Sequence, residues 1–242
     1  MREEKISRFA DYRSINKRAK YYLVYIPLFK ALNYAVEKYA HGNLLDIGCG
    51  NKPYEKMLEG KIEKYTGCDI IQSSDNKVDV ISPANKIPLG DNSFDTVFST
   101  QTIEHVEDHQ GLVNEAYRLV KPGCYFIISG PLYWHLHEEP YDFFRFTKYG
   151  FEYIFKKAGF EVVEVLPNGG AWATTGQSII HSFSFTNKGA NWFIRFIKKA
   201  FFKLRIYVLV NWFFEWLDKA DHNPINTMNY VVIGKKPLNS PE

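Results

Sequence analysis

At 242 residues and 28.2 kDa, the chain is long enough for one domain with an insertion and short for two. With 45% hydrophobic, 24% charged and 17% aromatic residues it can bury a core, which excludes disordered, collagen-like and miniature disulfide-stapled chains. The net charge of +3 hides two basic stretches, seven Lys/Arg against three acids over residues 1–20 and six Lys/Arg with no acid over 188–205.

The opening, MREEK and onward to Lys20, is charged, so no secretory signal is expected there. Tyr21 to Phe29 is apolar but interrupted by Pro27, after which Leu28, Leu32, Ala35, Val36 and Tyr39 share a helical face. From Asn43 the pattern turns to short apolar runs that predict strands at 44–48, 65–70, 78–81, 94–99, 125–130, 160–166 and 230–234. Helices are predicted between them at His109–Lys121 and Thr147–Ala158, the second closed by Gly159 as a C-cap. Alternating strands and helices predict an α/β, doubly wound parallel sheet. Cys49, Cys68 and Cys124 lack a CxxC pair and predict free thiols in a reducing compartment.

Between the last two strands lie some 60 residues, too many for a simple connection. NGGAWATTGQS reads as a loop, and Asn191 to Val208 as one helix with an aromatic face (Phe193, Phe196, Phe201) and a basic one (Arg195, Lys198, Lys199, Lys203). With Trp212, Phe213, Phe214 and Trp216 following, 191–217 can lie on an anionic membrane, or its apolar face can pack on the domain or a second subunit. The longest charge-free apolar run here, 206–214, is short of the ~20 residues of a spanning helix. No nucleic-acid recognition motif accompanies the basic stretches, and nucleic acid is not an expected partner. The expected organisation is a single domain, 1–242: a helical lead-in (1–42), a core (43–168), an aromatic and basic helical insertion (169–226), and a last strand with tail (227–242).

LLDIGCGNKPY, residues 44–54, is a strand, an acid and a glycine turn before a helix candidate. Gly48 and Gly50 admit close backbone approach, and free amides at the following helix start suit an anionic group, so a nucleotide-like cofactor is expected; a tight turn without ligand is the alternative. Asp69 ends the next strand, 19 residues after Gly50, where a carboxylate can accept from two ribose hydroxyls. Turn and acid alone fit NAD or S-adenosylmethionine, but Pro53 stands where the dinucleotide fingerprint has its third glycine.

DIGCG, GCDI, IPLGDNSFDTVFSTQTIEHVED, LVKPGCYFIISGP and the late AGFEVVEV together resemble class I S-adenosylmethionine-dependent methyltransferases of the methyltransferase type 11 group. The resemblance covers about 43–166 and the last strand. It implies a Rossmann-like seven-stranded sheet whose last strand is antiparallel, and S-adenosyl-L-methionine as cofactor, with S-adenosyl-L-homocysteine as product. It places Asp46, Gly48, Cys49 and Gly50 at the methionine end, Asp69 on the ribose, Ile70 and Ala84 by the adenine, and Gln101 near the sulfonium. Pro83 departs from the pattern, since an acid usually precedes the position of Ala84 and takes the adenine amino group; either Asp79 or a backbone carbonyl replaces it, or adenine is held more loosely.

Glu104-His105 matches the family's EH pair after the fourth strand. Methyl transfer is an in-line displacement that needs close positioning, and a hydroxyl acceptor also needs a base, for which His105 is preferred, with a backbone-bonded, pocket-shaping His as the alternative. Glu104, His105 and His109 could suggest a metal, since 105 and 109 share a helical face, but without supporting ligands no metal is expected. After the fifth strand, GPLYWHLHEEPYDFFRFT is dense in polar and aromatic groups, and its part from His137 through Pro140, Asp142, Arg145, Phe146 and Thr147 is similar to a string of methyltransferases from bacterial surface-glycan gene sets. Trp134, His135, Asp142 and Arg145 with Glu104 are candidate acceptor contacts, and His137 is a second candidate base; an Asp142–Arg145 pair pinning the loop is the alternative. The whole predicts a cytoplasmic O-methyltransferase, able to touch the membrane's inner face, acting on a small-molecule or lipid-linked acceptor, a sugar hydroxyl in first place. Methylation of an apolar ring such as a quinone or lipid precursor, or a catalytically silent docking protein, are the rivals, and the oligomeric state is open.

Overall fold

The computed structural model describes residues 15–185 and 189–238, which divide into two compact units. The first holds 31–166 and 230–238, the second 15–30 and 167–229.

In the first unit, all seven expected strands form: β1 (Asn43–Ile47), β2 (Lys64–Asp69), β3 (Val80–Ile81), β4 (Phe94–Thr100), β5 (Val120–Pro131), β6 (Glu161–Asn168) and β7 (Asn229–Lys235). They make one sheet in the order β3-β2-β1-β4-β5-β7-β6. β1 pairs in parallel with β2 and β4, β2 with β3, and β4 with β5. Gly123 N donates to the Lys236 carbonyl at 2.8 Å and Lys236 N to the Cys124 carbonyl at 2.9 Å, so β7 ends where β5 begins: the last strand is antiparallel. The fold is the Rossmann-like sheet that the resemblance implies.

Near-continuous apolar runs form the inner strands because both faces are covered, as Leu44, Leu45, Val97, Phe98, Phe126 and Ile127 show by being fully buried. α3 (His109–Leu119) buries Leu112, Val113, Ala116 and Leu119, and starts where Asp108 accepts from Gly111 N. α4 (Lys148–Ala158) is capped by Thr147, which accepts from Gly150 N, and closed by Gly159 at φ +100°. Phe126 stacks on Phe155, and Phe160 packs against both. Strand order reverses between β1 and β4, and the loops after β1, β2, β4 and β5 gather at that switch point, where open α/β sheets take their ligands.

Three local expectations change. α1 runs unbroken over Tyr22–Tyr39 with Pro27 inside, because the proline removes only one helical bond while Leu23, Val24, Leu28, Leu32, Ala35, Val36 and Tyr39 are all buried. The expected loop NGGAWATTGQS lies mostly in α5 (Ala171–Ser184). There Thr174, Thr175, Ser178 and Ser182 return their hydroxyls to carbonyls four residues back, and Asp218 accepts from Gly170 N and Ala173 N at the helix start. The expected single helix over 191–208 is two, α6 (Trp192–Lys203) and α7 (Ile206–Ala220), parted at Arg205 with φ +54°. In this second unit Glu215 accepts from Lys17 (2.7 Å), Lys219 (2.7 Å) and the Tyr22 hydroxyl (3.0 Å).

Candidate active site

The glycine turn after β1 is held by the chain's own bonds. Gly48 N and Cys49 N donate to the Cys68 carbonyl at 2.8 and 3.1 Å, and Gly50 N donates to Asp69 Oδ2 at 3.0 Å. The helix that follows, α2, is one turn long (Glu55–Leu58). The expectation of free helix-start amides for an anion therefore gives way to a turn whose amides are already engaged. Gly48 stands at φ +81°, and a Cβ there would lie 2.2 Å from Thr102 Oγ1, so only glycine fits.

Asp69 is held from both sides, Oδ2 by Gly50 N and Oδ1 by Ile70 N at 2.7 Å, which fixes the carboxylate's plane. Asp46 is buried, accepts from the Tyr65 hydroxyl at 2.5 Å through Oδ2, and leaves Oδ1 without a partner among the described residues. Burial pushes its carboxyl up to about 7 against the pull of Tyr65.

A cavity of about 610 Å³ opens here, lined by Ile47, Gly48, Asp69, Ile70, Ser82, Pro83, Ala84, Asn85, Thr102, His105, Tyr141 and Phe143 among others. Of the expected cofactor residues it brings together Gly48, Asp69, Ile70 and Ala84. Asp46 and Cys49 are buried and do not line it, and Gln101, at φ +51°, donates to Ser129 Oγ. Asp79, expected in place of the missing adenine-binding acid, instead accepts from Lys52 Nζ and Gly67 N, both at 2.7 Å, and does not line the cavity. Asn85 and Ser82 stand in that stretch of wall.

At the other end, Glu104 and His105 sit on a 3-10 turn, Ile103–His105. The loop after β5 is stitched to this turn: Phe143 N donates to the Glu104 carbonyl at 2.9 Å, and His105 Nδ1 lies 2.7 Å from the Tyr141 carbonyl. Burial raises the Glu104 carboxyl to about 8. His137 reaches the same place, its ring edge-on to that of His105 with centroids 4.6 Å apart. Asp142 and Arg145 do not face the cavity. They form a two-pronged ion pair (2.7 and 2.8 Å), Arg145 also donates to the carbonyls of Trp134, His135 and Phe144, and Asp142 accepts from His137 N. Burial works against the Asp142 carboxylate, but Arg145 and His137 hold it well below the usual range. Asp142 and Arg145 thus form the loop-pinning pair that was the alternative to acceptor contact, and Trp134 and His135 supply carbonyls to that framework, their rings 4.9 Å apart.

Residues 45–128 match the family model described as a methyltransferase domain. The chain carries a class I S-adenosylmethionine-dependent methyltransferase domain. It is 29% identical over 99 residues to the 27-O-demethylrifamycin SV methyltransferase of Amycolatopsis mediterranei, covering 35% of this chain and 36% of that one. It is 30% identical over 101 residues to the norajmaline N-methyltransferase of Rauvolfia serpentina, covering 36% and 35%. The chain thus spans little more than a third of the length of these curated relatives. In fold it is similar to a SAM-dependent methyltransferase from Archaeoglobus fulgidus, with TM-score 0.55 and 19% identity over 86% of this chain and 93% of that one.

The residues present fit S-adenosylmethionine, the cofactor of this domain. Gly48 leaves no Cβ in the cradle, Asp69 lines the cavity with its carboxylate held by two backbone amides, and Ile70 keeps an exposed apolar side chain in the cavity wall. Sequence reasoning did not find Tyr65, whose partnership with Asp46 crosses from β2 to β1, and it did not single out Thr102, Tyr141 and Phe143 within the strings that contain them, since only folding brings them to the wall.

Proposed function

We propose that this chain is an active methyltransferase that methylates a hydroxyl of a small or lipid-linked acceptor, with a sugar hydroxyl of a surface glycan as the preferred class. The position of His105 carries this reading: of the two candidate bases, His105 and His137, it is the one that lines the cavity. When bound, the cofactor supplies an electrophilic methyl group and leaves as S-adenosylhomocysteine, the sulfur keeping the electron pair of the broken S–C bond. The acceptor oxygen forms the new O–C bond, and its proton passes to the imidazole at His105. With Nδ1 turned to the Tyr141 carbonyl, His105 keeps its basic lone pair on Nε2. Tyr133, Tyr141 and Phe143 are exposed rings on the same loop and suit a sugar face.

The test is methyl transfer from labelled cofactor to three acceptor panels: glycans with free hydroxyls, amines, and quinone-like rings. Transfer to the glycans supports the reading; transfer confined to amines or apolar rings rejects it.

A second observation favours a lipid-linked acceptor. On α6 and α7, Trp192 is 78% exposed and Trp212 59%, with Phe193, Phe196, Leu209, Phe213 and Trp216 exposed as well. Arg195, Lys199, Lys203 and Arg205 are exposed among them, whereas Lys198 donates to the carbonyls of Ser182 and Phe185. Large rings interleaved with cations match an anionic bilayer surface. Among the described residues no helix is long and apolar enough to cross a membrane.

A further inference from the structure

We propose that Glu104, His105 and His137 form a binding site for a divalent transition metal of the zinc class at the acceptor end of the cavity. One ligand atom from each of the three lies within 4.8 Å of the others. Two imidazoles and a carboxylate are a donor set for such an ion, and hard oxygen-loving ions such as magnesium are poorly served by it. The sequence pairs His105 with His109; folding replaces His109 by His137, 32 positions along the chain, which is why no metal was expected.

Two further observations point to an ion rather than to a chance cluster. The first is the orientation of the rings. His105 Nδ1 lies 2.7 Å from the Tyr141 carbonyl, and His137 Nδ1 lies 3.3 Å from the His135 carbonyl and 3.2 Å from Asp142 Oδ2. An imidazole that donates from Nδ1 to an oxygen keeps its lone pair on Nε2, and this outer hydrogen bond is the arrangement that orients metal-bound histidines and makes them more basic. Asp142, itself fixed by Arg145, would act on the ion only through His137 and is a positioning residue. The second is Glu104. Its side chain is 1% exposed, its Oε1 lies 3.8 Å from His105 Nε2, and its Oε2 has no hydrogen-bond partner among the described residues. A buried carboxylate oxygen left so is costly unless something cationic meets it.

The inference rests on the reading of this cluster as the acceptor end and changes what the imidazoles do. In the loaded site they are ligands, not bases. An acceptor hydroxyl bound to the ion would have its pKa lowered. Its proton would pass to solvent, and the oxygen would then form its bond to the methyl carbon as the S–C bond breaks toward sulfur.

The experiment uses full-length protein stripped with a chelator, then titrated with Zn²⁺ by calorimetry and with Co²⁺ by visible absorption. One equivalent of Zn²⁺ retained through gel filtration, and d–d bands from Co²⁺, are expected in the wild type. Both should be lost in Glu104→Gln and His137→Gln and kept in His41→Ala. S-adenosylhomocysteine-induced thermal shifts in each variant establish that it is folded. No stoichiometric binding by the wild type overturns the site, a result that does not depend on any variant folding. Binding that survives both ligand substitutions also overturns it, as does loss only in His41→Ala, which would place the ion at the cluster His41, Asp95 and Cys124. Methyl transfer by stripped protein at the full rate overturns the metal's role and leaves the base reading standing. Metal binding without transfer to any hydroxyl acceptor rejects the hydroxyl reading and leaves the site.

Discussion

Asp69 and Gly48, both expected at the cofactor, shape the site by different physics, and two substitutions test them. Asp69→Ala removes a carboxylate that two backbone amides hold in place. Two hydrogen bonds to a charged group, each contributing about 1.5 to 3 kcal/mol, correspond to a loss of about 100-fold or more in S-adenosylhomocysteine affinity. Calorimetry should show that loss, and because the same carboxylate accepts from Gly50 N and Ile70 N, the unfolding midpoint of the unliganded protein should fall as well. Gly48→Ala acts on the protein itself, since its Cβ would meet Thr102 Oγ1 at 2.2 Å and φ is +81°. A lowered midpoint together with lost binding is expected, and a variant as stable as the wild type would count against the tightness of that turn. Both residues were legible in the sequence because glycine turn and strand-end acid are local signals. Asp142 and Arg145 were legible with two roles open, acceptor contact or loop pin, because a sequence gives the spacing of two opposite charges and not whether they spend their bonds on each other.

At the scale of elements, every strand was legible from apolar runs bounded by turn residues, and α4 from its threonine and glycine caps. α5 was not. Its glycine, threonine and serine content reads as loop, and only in the folded chain do the hydroxyls satisfy themselves on the helix's own carbonyls. Gly176 explains another part of that composition: a Cβ there would lie 2.6 Å from Phe214, so the glycine is what lets α5 and α7 approach. Gly176→Val should therefore destabilise the protein by about 1 to 3 kcal/mol despite its better fit to a helix, as read by urea denaturation. The break at Arg205 was equally invisible, since nothing in FKLRIY marks an arginine in the left-handed region. The Glu215 cluster makes an element-level prediction about acid. Burial opposes its charge, but Lys17, Lys219 and Tyr22 outweigh this and lower its carboxyl to about 2. A carboxyl with a lower folded than unfolded pKa stabilises above about pH 4.5 and loses that contribution as pH falls toward about 2. After solvent screening the contribution is on the order of 1 kcal/mol, and Glu215→Gln should flatten the fall of the unfolding midpoint over that window.

For the whole molecule, charge and aromatic residues are concentrated together on 192–216, and the expected consequence is binding to vesicles rich in anionic lipid at low salt. Each basic residue near such a surface contributes about 1 kcal/mol, so Lys199→Glu with Lys203→Glu should weaken co-sedimentation by about 100-fold or more, and Trp212→Ser should weaken it even at high salt. Vesicle binding that ignores both charge and rings would sink the bilayer assignment.

The sheet order has a consequence for how the chain is made. β7 lies between β5 and β6, yet it is synthesised some 60 residues after β6. Until residues 229–235 leave the ribosome, β5 and β6 cannot be joined, and each offers an open strand edge while the whole of 169–228 is being added. The order of synthesis thus leaves the two edges most open to wrong pairing or aggregation in the nascent chain, where covering them falls to chaperones or to the speed of translation itself.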